Sequence, residues 1–376
     1  MIDKVGIDCT GCGSCAGGCP HEAIHMKPNE EGFLIPLIDS SICTRCNLCE
    51  RVCPALNEAS LTNSIIDSFA ALTDNRPQTS SSGGAFFSIA SAVIRKCGVV
   101  YGAAFSDSVR IIHIRVDSLD ELPRLCGSKY IQSSIDREIF HAIKKDLQDG
   151  MEVLFSGTPC QVKGLKLFLR KEYANLILID LICHGVSSPG VFNSYIRYIE
   201  RLRHRKVKEF RCRDNREGWS NIFKSTIIYV NDGEEYNSVL ANLWNRIFFS
   251  EMITRQSCHA CKFANKNRYG DFTLGDFWGI KGDEVPSSNK SGVSLLFVNT
   301  PKGRAFMETT DLSLKEAQTN SKEHPNLYRP TPPSPMRQNF FDCYKMNGFS
   351  NAIGKYFQFS AWLDFKIRVH KMIFSR

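Results

Sequence analysis

The chain has 376 residues, 43% hydrophobic and 23% charged, with a formal net charge of +8. This length and composition suit a soluble protein of two or three domains; the opening MIDKVGIDC lacks the apolar core of a secretory leader, and no apolar run of 18 residues suggests a membrane span. Sixteen cysteines in such a chain point to the reducing cytoplasm, with most thiols held as metal ligands.

Residues 1–57 read Cys-x2-Cys-x2-Cys-x3-Cys-Pro twice, as Cys9, Cys12, Cys15, Cys19, Pro20 and as Cys43, Cys46, Cys49, Cys53, Pro54. This is the spacing of a bacterial-type ferredoxin with two [4Fe-4S] clusters, in which the fourth cysteine of each run serves the other cluster. The expected sets are therefore Cys9, Cys12, Cys15 and Cys53, and Cys43, Cys46, Cys49 and Cys19. Zinc knuckles also use Cys-x2-Cys, but zinc gains nothing from a third evenly spaced cysteine and a fourth followed by proline. Each cubane with four thiolates carries about two negative charges, so two clusters bring the balance to about +4 and three to about +2. The basic balance is then partly compensation for buried anions and does not argue for nucleic acid. The run Arg201-Leu-Arg203-His-Arg205-Lys206 reads as a solvated helix end. Between the cysteine runs, apolar residues around Glu31-Gly32 predict a short β-hairpin, and a polar linker follows over residues 55–67.

Beyond the linker, SFAALT predicts a strand and PQTSSSGGAFFSIASAVIRK a Ser/Gly loop opening an amphipathic helix. GVVYGAAF and IIHIRV predict paired strands turning at Ser106-Asp107-Ser108. LDELPRLCGSKYIQS reads as a helix running into a loop, and IDREIFHAIKKDLQDG as a helix stopped by glycine. From residue 151 the pattern becomes strand–loop–helix: MEVLFSG, TPCQVKGLKLFLRK, LILIDLIC, then the helix SPGVFNSYIRYIERLR. Near-continuous apolar strands separated by helices predict a parallel α/β portion. Residues 207–240 look strand-like, and a third Cys-x2-Cys pair, Cys258 and Cys261, precedes GDFTLGDFWG. Past about residue 310 the pattern fades into the proline-rich PNLYRPTPPSP and a basic, aromatic end.

SSSGGAFF, CGSKYIQS, FSGTPCQVKGL, LICHG and CHACKFANKNRYGDFTLGDFWG together resemble the beta subunit of coenzyme F420-reducing hydrogenase and formate dehydrogenase, whose superfamily includes plant 7-hydroxymethyl chlorophyll a reductase. The resemblance covers roughly residues 65–300 and implies bound FAD and a further cubane cluster. The expected fold is α+β or α/β: a ferredoxin-like unit at 1–57, an F420 hydrogenase beta-subunit N-terminal-like domain at 65–145, a C-terminal-like domain at 150–310, and an extension at 311–376.

The Ser/Gly loop offers backbone N–H groups at a helix start, which suits a pyrophosphate, although such a loop also serves as a plain cap. The resemblance assigns FAD to Ser81, Ser82, Gly83 and Gly84. Lys129 supplies a cation for a phosphate or a reduced flavin, and Tyr130, Gln132 and Ser133 add ring and hydrogen-bond contacts. Cys160 and Cys183 fall at the carboxyl ends of two buried strands, where ligands gather in open α/β sheets. With Cys258 and Cys261 they make a third set of four thiolates. The same four would also bind zinc, and Cys160 and Cys183 would also serve as buried thiols. Asp271, Asp276 and His184 border these positions as orienting or proton-passing groups, or as ordinary loop residues. Cys97, Cys126, Cys212 and Cys343 lack ligand spacing, although Cys126 borders the proposed flavin site.

The expected function is electron relay between clusters and FAD, with hydride or two-electron transfer to a small, F420-like or other acceptor. The alternative is an electron-transfer subunit that docks a catalytic partner. No catalytic side chain, donor or direction emerges from the sequence. Trp362, Phe365, Ile367, Val369, Met372 and Phe374, with Lys366, Arg368, Lys371 and Arg376, suggest either a docked terminal helix or peripheral contact with an anionic membrane.

Overall fold

The computed structural model describes residues 1–57, 62–219, 223–280 and 292–374, with side chains as far as Ile367. In the N-terminal unit each cysteine run closes into a four-residue helix, α1 (Ser14–Gly17) and α2 (Leu48–Arg51). Between them β1 (Ile24–Pro28) and β2 (Leu34–Ile38) form the expected antiparallel hairpin. The residue before each helix is left-handed, Gly13 at φ 81° and Asn47 at φ 60°. Glycine and asparagine are the residues that tolerate this conformation, so the two runs solve one turn in two ways.

The larger part is built from β3 (Asp67–Leu72), α3 (Ala85–Arg95), β4 (Val99–Phe105), β5 (Ile111–Val116), α4 (Arg137–Gln148), β6 (Val153–Gly157), α5 (Pro159–Leu169), β7 (Leu176–Leu181) and α6 (Pro189–Arg203). Then come β8 (Val207–Arg211), β9 (Thr226–Tyr229), β10 (Glu234–Tyr236), α7 (Val239–Phe248), β11 (Phe272–Asp276), β12 (Ser294–Val298), α8 (Pro301–Met307), β13 (Ser313–Glu316), α9 (Arg337–Phe357) and α10 (Ala361–Phe374). Among the described residues, eight strands make one mixed sheet in the order β13-β3-β12-β11-β7-β6-β4-β5. Its centre, β11-β7-β6-β4, is parallel, and its edges are antiparallel.

The parallel strands are apolar throughout because both faces are covered. On β6 and β7, Val153, Phe155, Leu176 and Leu178 pack with α4 and α5 through Phe140, Val162 and Leu165. The alternate residues Leu154, Ile177 and Ile179 pack with α3 through Ile89 and Val93. Among the described residues, β8, β9 and β10 form a separate three-stranded sheet in the order β10-β9-β8, which shares a core with α6, α7 and α9 around Tyr195, Phe210 and Trp244.

Two readings of the sequence are corrected. The stretch LDELPRLC forms only a 3-10 turn over Leu122–Leu125, with Pro123 at its start, because proline supplies no N–H to continue a helix. The stretch past residue 310 is ordered: β13 joins the sheet, and α9 buries Phe340, Phe341, Phe349 and Ile353. Its periodicity is hard to see because Gly348, at φ 76° and ψ 175°, interrupts the helix and shifts the apolar face. At α10, Asp364 is buried and pairs with Arg203 at 2.7 Å, while Trp362 and Phe365 are 63% and 56% exposed. Lys366 lies 3.7 Å from the Trp362 ring centroid; the side chains of Arg368, Val369, Lys371, Met372, Phe374 and Arg376 lie outside the described residues. Among the described residues no helix is long and apolar enough to cross a membrane.

Candidate cluster and cofactor site

The two cysteine runs meet different surroundings. Cys12, Cys15, Cys19 and Cys53 are buried, Cys9, Cys43 and Cys49 half-buried, and Cys46 exposed. Burial pushes the Cys15 thiol well above its ordinary pKa, and the neighbouring Cys12, Cys9 and Cys53 push it further. Cys53 is pushed up to about 12 by burial, then by Cys12 and Cys9. The structure thus brings Cys53, from the second run, among Cys9, Cys12 and Cys15. Cys19, Cys43, Cys46 and Cys49 line a second small hollow beside Met1. Cys15 and Cys53, so disfavoured as free anions, are the kind of thiol that a bound metal keeps deprotonated.

The N-terminal unit is clamped to the sheet module by two buried arginines, Arg255 and Arg337, and the half-buried Arg137. Arg255 donates to the carbonyls of Cys9 (2.7 Å) and Leu34 (3.1 Å) and to the Gln132 side chain (3.1 Å). Arg137 donates to the carbonyls of Ala16 and Cys19, at 3.2 and 2.5 Å. Arg337 pairs with Glu31 at the hairpin tip.

A third group forms at the carboxyl ends of β6 and β7. Cys160 is the second residue of α5, Cys183 lies two residues past β7, and Cys258 and Cys261 belong to the 3-10 turn Gln256–Ala260 and its cap. Burial raises the pKa of all four; Cys160 senses Cys183 and Cys261, and Cys183 senses Cys258 and Cys261. The helix start favours a thiolate at Cys160, and Thr158 Oγ1 lies 3.1 Å from its sulfur. The turn carrying Cys258 and Cys261 is fixed by a buried network. Asp180 on β7 accepts from Arg268 (2.7 Å), Thr273 (2.6 Å) and the backbone N–H groups of Tyr269 and Gly270 (2.8 and 2.9 Å). Among the described residues no three His, Cys, Asp or Glu side chains are gathered as around a single metal ion; a cubane spaces its four thiolates more widely.

Beside this group lies a cavity of about 390 Å³, and all four of its cysteines contribute to the wall. Ser81, Ser82 and Gly84, at the start of α3, line it together with Lys129, Tyr130, Gln132 and Ser133. Gly83 does not reach it: a Cβ there would fall 2.3 Å from the Ala71 carbonyl oxygen, so this glycine lets the loop pack on β3. Lys129 donates to three carbonyls, Leu125 (3.3 Å), Cys126 (2.8 Å) and Gly127 (3.2 Å), and no carboxylate pairs with it among the described residues. Burial pulls its pKa down to about 8. Tyr130 stacks on Phe248 at 4.6 Å. The Gln132 amide is engaged by Gly11, Leu34 and Arg255, and Ser133 accepts from Gln161 at 2.9 Å. These two residues line the wall, but their polar groups join it to neighbouring segments.

His184 lies 2.5 Å from Glu251 through Nε2, and it lines the cavity beside Cys183. Asp276 also lines it, held by Arg213 at 2.5 Å and Trp219 at 3.2 Å. Asp271 instead accepts from Leu178 N–H and Thr300 and orders the sheet. Cys126 is a buried wall residue with its thiol pushed up to about 12 by burial. Cys97 is exposed, Cys212 is buried near Lys129, and Cys343 sits in α9. Sequence reasoning missed His113, Asp180, Arg268 and Arg255. His113 carried one signal, a polar residue at an inward position of IIHIRV; it lines the cavity, stacks on Phe155 at 5.3 Å and bonds the Ser156 carbonyl through Nε2 at 3.1 Å.

Paired cysteine runs on a hairpin, docked on an α/β module with further clustered thiols, define an iron–sulfur protein. Residues 8–57 match the 4Fe-4S dicluster domain, and residues 150–321 match the C terminus of the coenzyme F420 hydrogenase/dehydrogenase beta subunit. The chain therefore joins a segment that matches a ferredoxin-type dicluster domain to one that matches the C terminus of that beta subunit. No curated protein matches it significantly. A similar solved structure is a chain of the xenon-derivatised F420-reducing [NiFe] hydrogenase complex from Methanosarcina barkeri. It is 13% identical, with 80% of this chain and 94% of that chain covered at a TM-score of 0.44.

Proposed function

We propose that the protein is an iron–sulfur flavoprotein oxidoreductase. In this reading Cys9, Cys12, Cys15 and Cys53 hold one [4Fe-4S] cluster, and Cys43, Cys46, Cys49 and Cys19 a second. Cys160, Cys183, Cys258 and Cys261 hold a third, and the adjoining cavity takes FAD. The proposed organisation is a ferredoxin unit at 1–57, a flavin-contacting segment at 65–145, a third-cluster segment at 150–310 and an extension from 311. The observation that carries the reading is the cavity itself, a single space of about 390 Å³ bounded by a helix start, a buried ammonium and four clustered thiols.

The residues suit that cofactor. The backbone at Ser82 and Gly84 offers N–H groups at the start of α3 for a pyrophosphate. Lys129 holds a positive charge for an anionic group, and its pKa of about 8 keeps it mostly protonated near neutrality. Flavin converts between single-electron steps and hydride or two-electron transfer. The chain's own part is to hold that ring beside the third thiolate set and to shield it within the apolar wall. The acceptor would be a small molecule, F420-like or another two-electron acceptor. The exposed Cys46 side of the ferredoxin unit supports a protein electron partner, which keeps the alternative of a non-catalytic subunit in view. Exposed Trp362 and Phe365 beside Lys366 support peripheral contact of the C-terminal helix with an anionic membrane.

Anaerobic iron, sulfide, zinc and flavin analysis tests this reading. About twelve irons and one FAD per chain are expected from four irons in each of three sets. About eight irons with one zinc would make the third set structural, and absence of flavin would overturn the flavoprotein reading. Turnover of a small acceptor by the purified protein with reduced ferredoxin separates the enzyme from the electron-transfer subunit.

A further inference from the structure

Gly164 stands in the middle of α5, where glycine weakens a helix relative to alanine. A Cβ at this position would lie 3.2 Å from Cys12 Sγ and 3.3 Å from Ser14 Cβ. The missing side chain therefore lets the first cysteine run rest on bare helix backbone. Cys160 lies four residues earlier in α5, on the same helix face and one turn away.

The rest of the first run shows the same close fit. A Cβ at Gly11 would fall 1.9 Å from Gln132 Nε2, at Gly13 2.5 Å from the Ile135 carbonyl oxygen, and at Gly17 2.7 Å from the Phe140 ring. The corresponding positions of the second run, 34 residues on, are Arg45, Asn47 and Arg51, all exposed. The two runs share a ligand pattern but face opposite ways, one into the module and one outward.

Resting on the proposed third cluster, we propose that the two ferredoxin sets are not interchangeable. The set containing Cys12 is the inner one and exchanges single electrons with the Cys160 set across Gly164, while the set containing Cys46 is the outer one and meets the protein partner. Gly164 is a positioning residue that fixes the gap at this junction. Each transfer oxidises one set by one electron and reduces the other by one, with no bond made or broken and no proton required. A side chain at Gly164 would press on Cys12 and Ser14 and widen the gap without replacing any ligand.

The test is low-temperature electron paramagnetic resonance of the dithionite-reduced full chain, alongside iron, sulfide and zinc content. In Cys46→Ala, which disables the outer set, the inner and third sets should still show mutual spin–spin splitting. Adding Gly164→Leu should abolish that splitting while iron and sulfide stay at the Cys46→Ala level. Splitting that survives Gly164→Leu with content intact would overturn the junction. If Gly164→Leu does not retain its clusters, Cys46→Ala alone decides. Persistent splitting supports an inner Cys12 set, and two magnetically isolated clusters sink it. Zinc in the third set, found by the same analysis, is the failure of the three-cluster reading and is distinguishable from failure of the junction.

Discussion

His113 shows how a single side chain can tie the cavity wall to pH. Burial holds its pKa down at about 4, against an ordinary 6.5, so it is neutral in the folded protein. The unfolded chain takes up the proton first as pH falls. Its contribution is therefore complete above about pH 6.5 and is lost as pH drops towards about 4, with about 2 kcal/mol gone near pH 5. The loss of stability between about pH 7.5 and about pH 5, read from anaerobic urea unfolding, should shrink by about that amount in His113→Gln. An unchanged pH dependence would show that His113 is accessible to protons in the native state. Lys129, beside it in the wall, has its pKa lowered by the same desolvation, and its three carbonyl partners leave its charge available to a ligand.

At the scale of the element, the Cys258–Cys261 turn depends on strand β7 for its position. Asp180 and Arg268 are 0% and 1% exposed, and together they fasten the residues after the turn to the strand that leads to Cys183. Removing one charge of a buried pair leaves the other uncompensated, at a cost of about 3–5 kcal/mol. Under the proposed three-cluster reading, Asp180→Asn should therefore lower the thermal midpoint and release metal from the proposed third set while the two ferredoxin sets keep theirs. Equal loss of iron from all sets, or a melting curve like the parent's, would remove this role from the network. The capping box of Thr158 and Gln161, with Pro159 in the first turn, similarly fixes where α5 begins and hence where Cys160 sits.

Across the whole molecule, the N-terminal unit is held by buried contacts and not merely tethered by its linker. Arg255, Arg137 and Arg337 reach from the larger module to its backbone or to Glu31, and Gly32 seats the hairpin tip against Gly190. The far end of the molecule carries a different feature. Arg203 binds both Glu235 and Asp364, at 2.8 and 2.7 Å, and so locks α10 to α6 with Trp362 and Phe365 facing out. Sedimentation with anionic vesicles should fall for a double variant Trp362→Ser, Phe365→Ser and should weaken with salt, while neutral vesicles bind neither protein. Equal sedimentation of parent and variant would leave α10 as a docked helix only.

The cysteine spacing, the hairpin between the runs and the alternation of buried strands with helices were legible because each is a local pattern: a ligand loop, a turn and a periodicity all lie within one segment. The fading of pattern after residue 310 misled because the kink at Gly348 divides α9 into two short periodic stretches. Ser81 and Lys129 were assigned together through the resemblance, but that Cys160 and its three partner cysteines line the same cavity was not visible, since these segments meet only when the central strands align in parallel. Asp180 and Arg268, 88 residues apart, gave no sequence signal because a buried ion pair is defined by its partner. The sequence by itself determined that a two-cluster ferredoxin-type domain comes first and that an α/β module follows. Only the tertiary structure decided which cysteine run packs inward, because burial and close approach depend on residues brought together from distant parts of the chain.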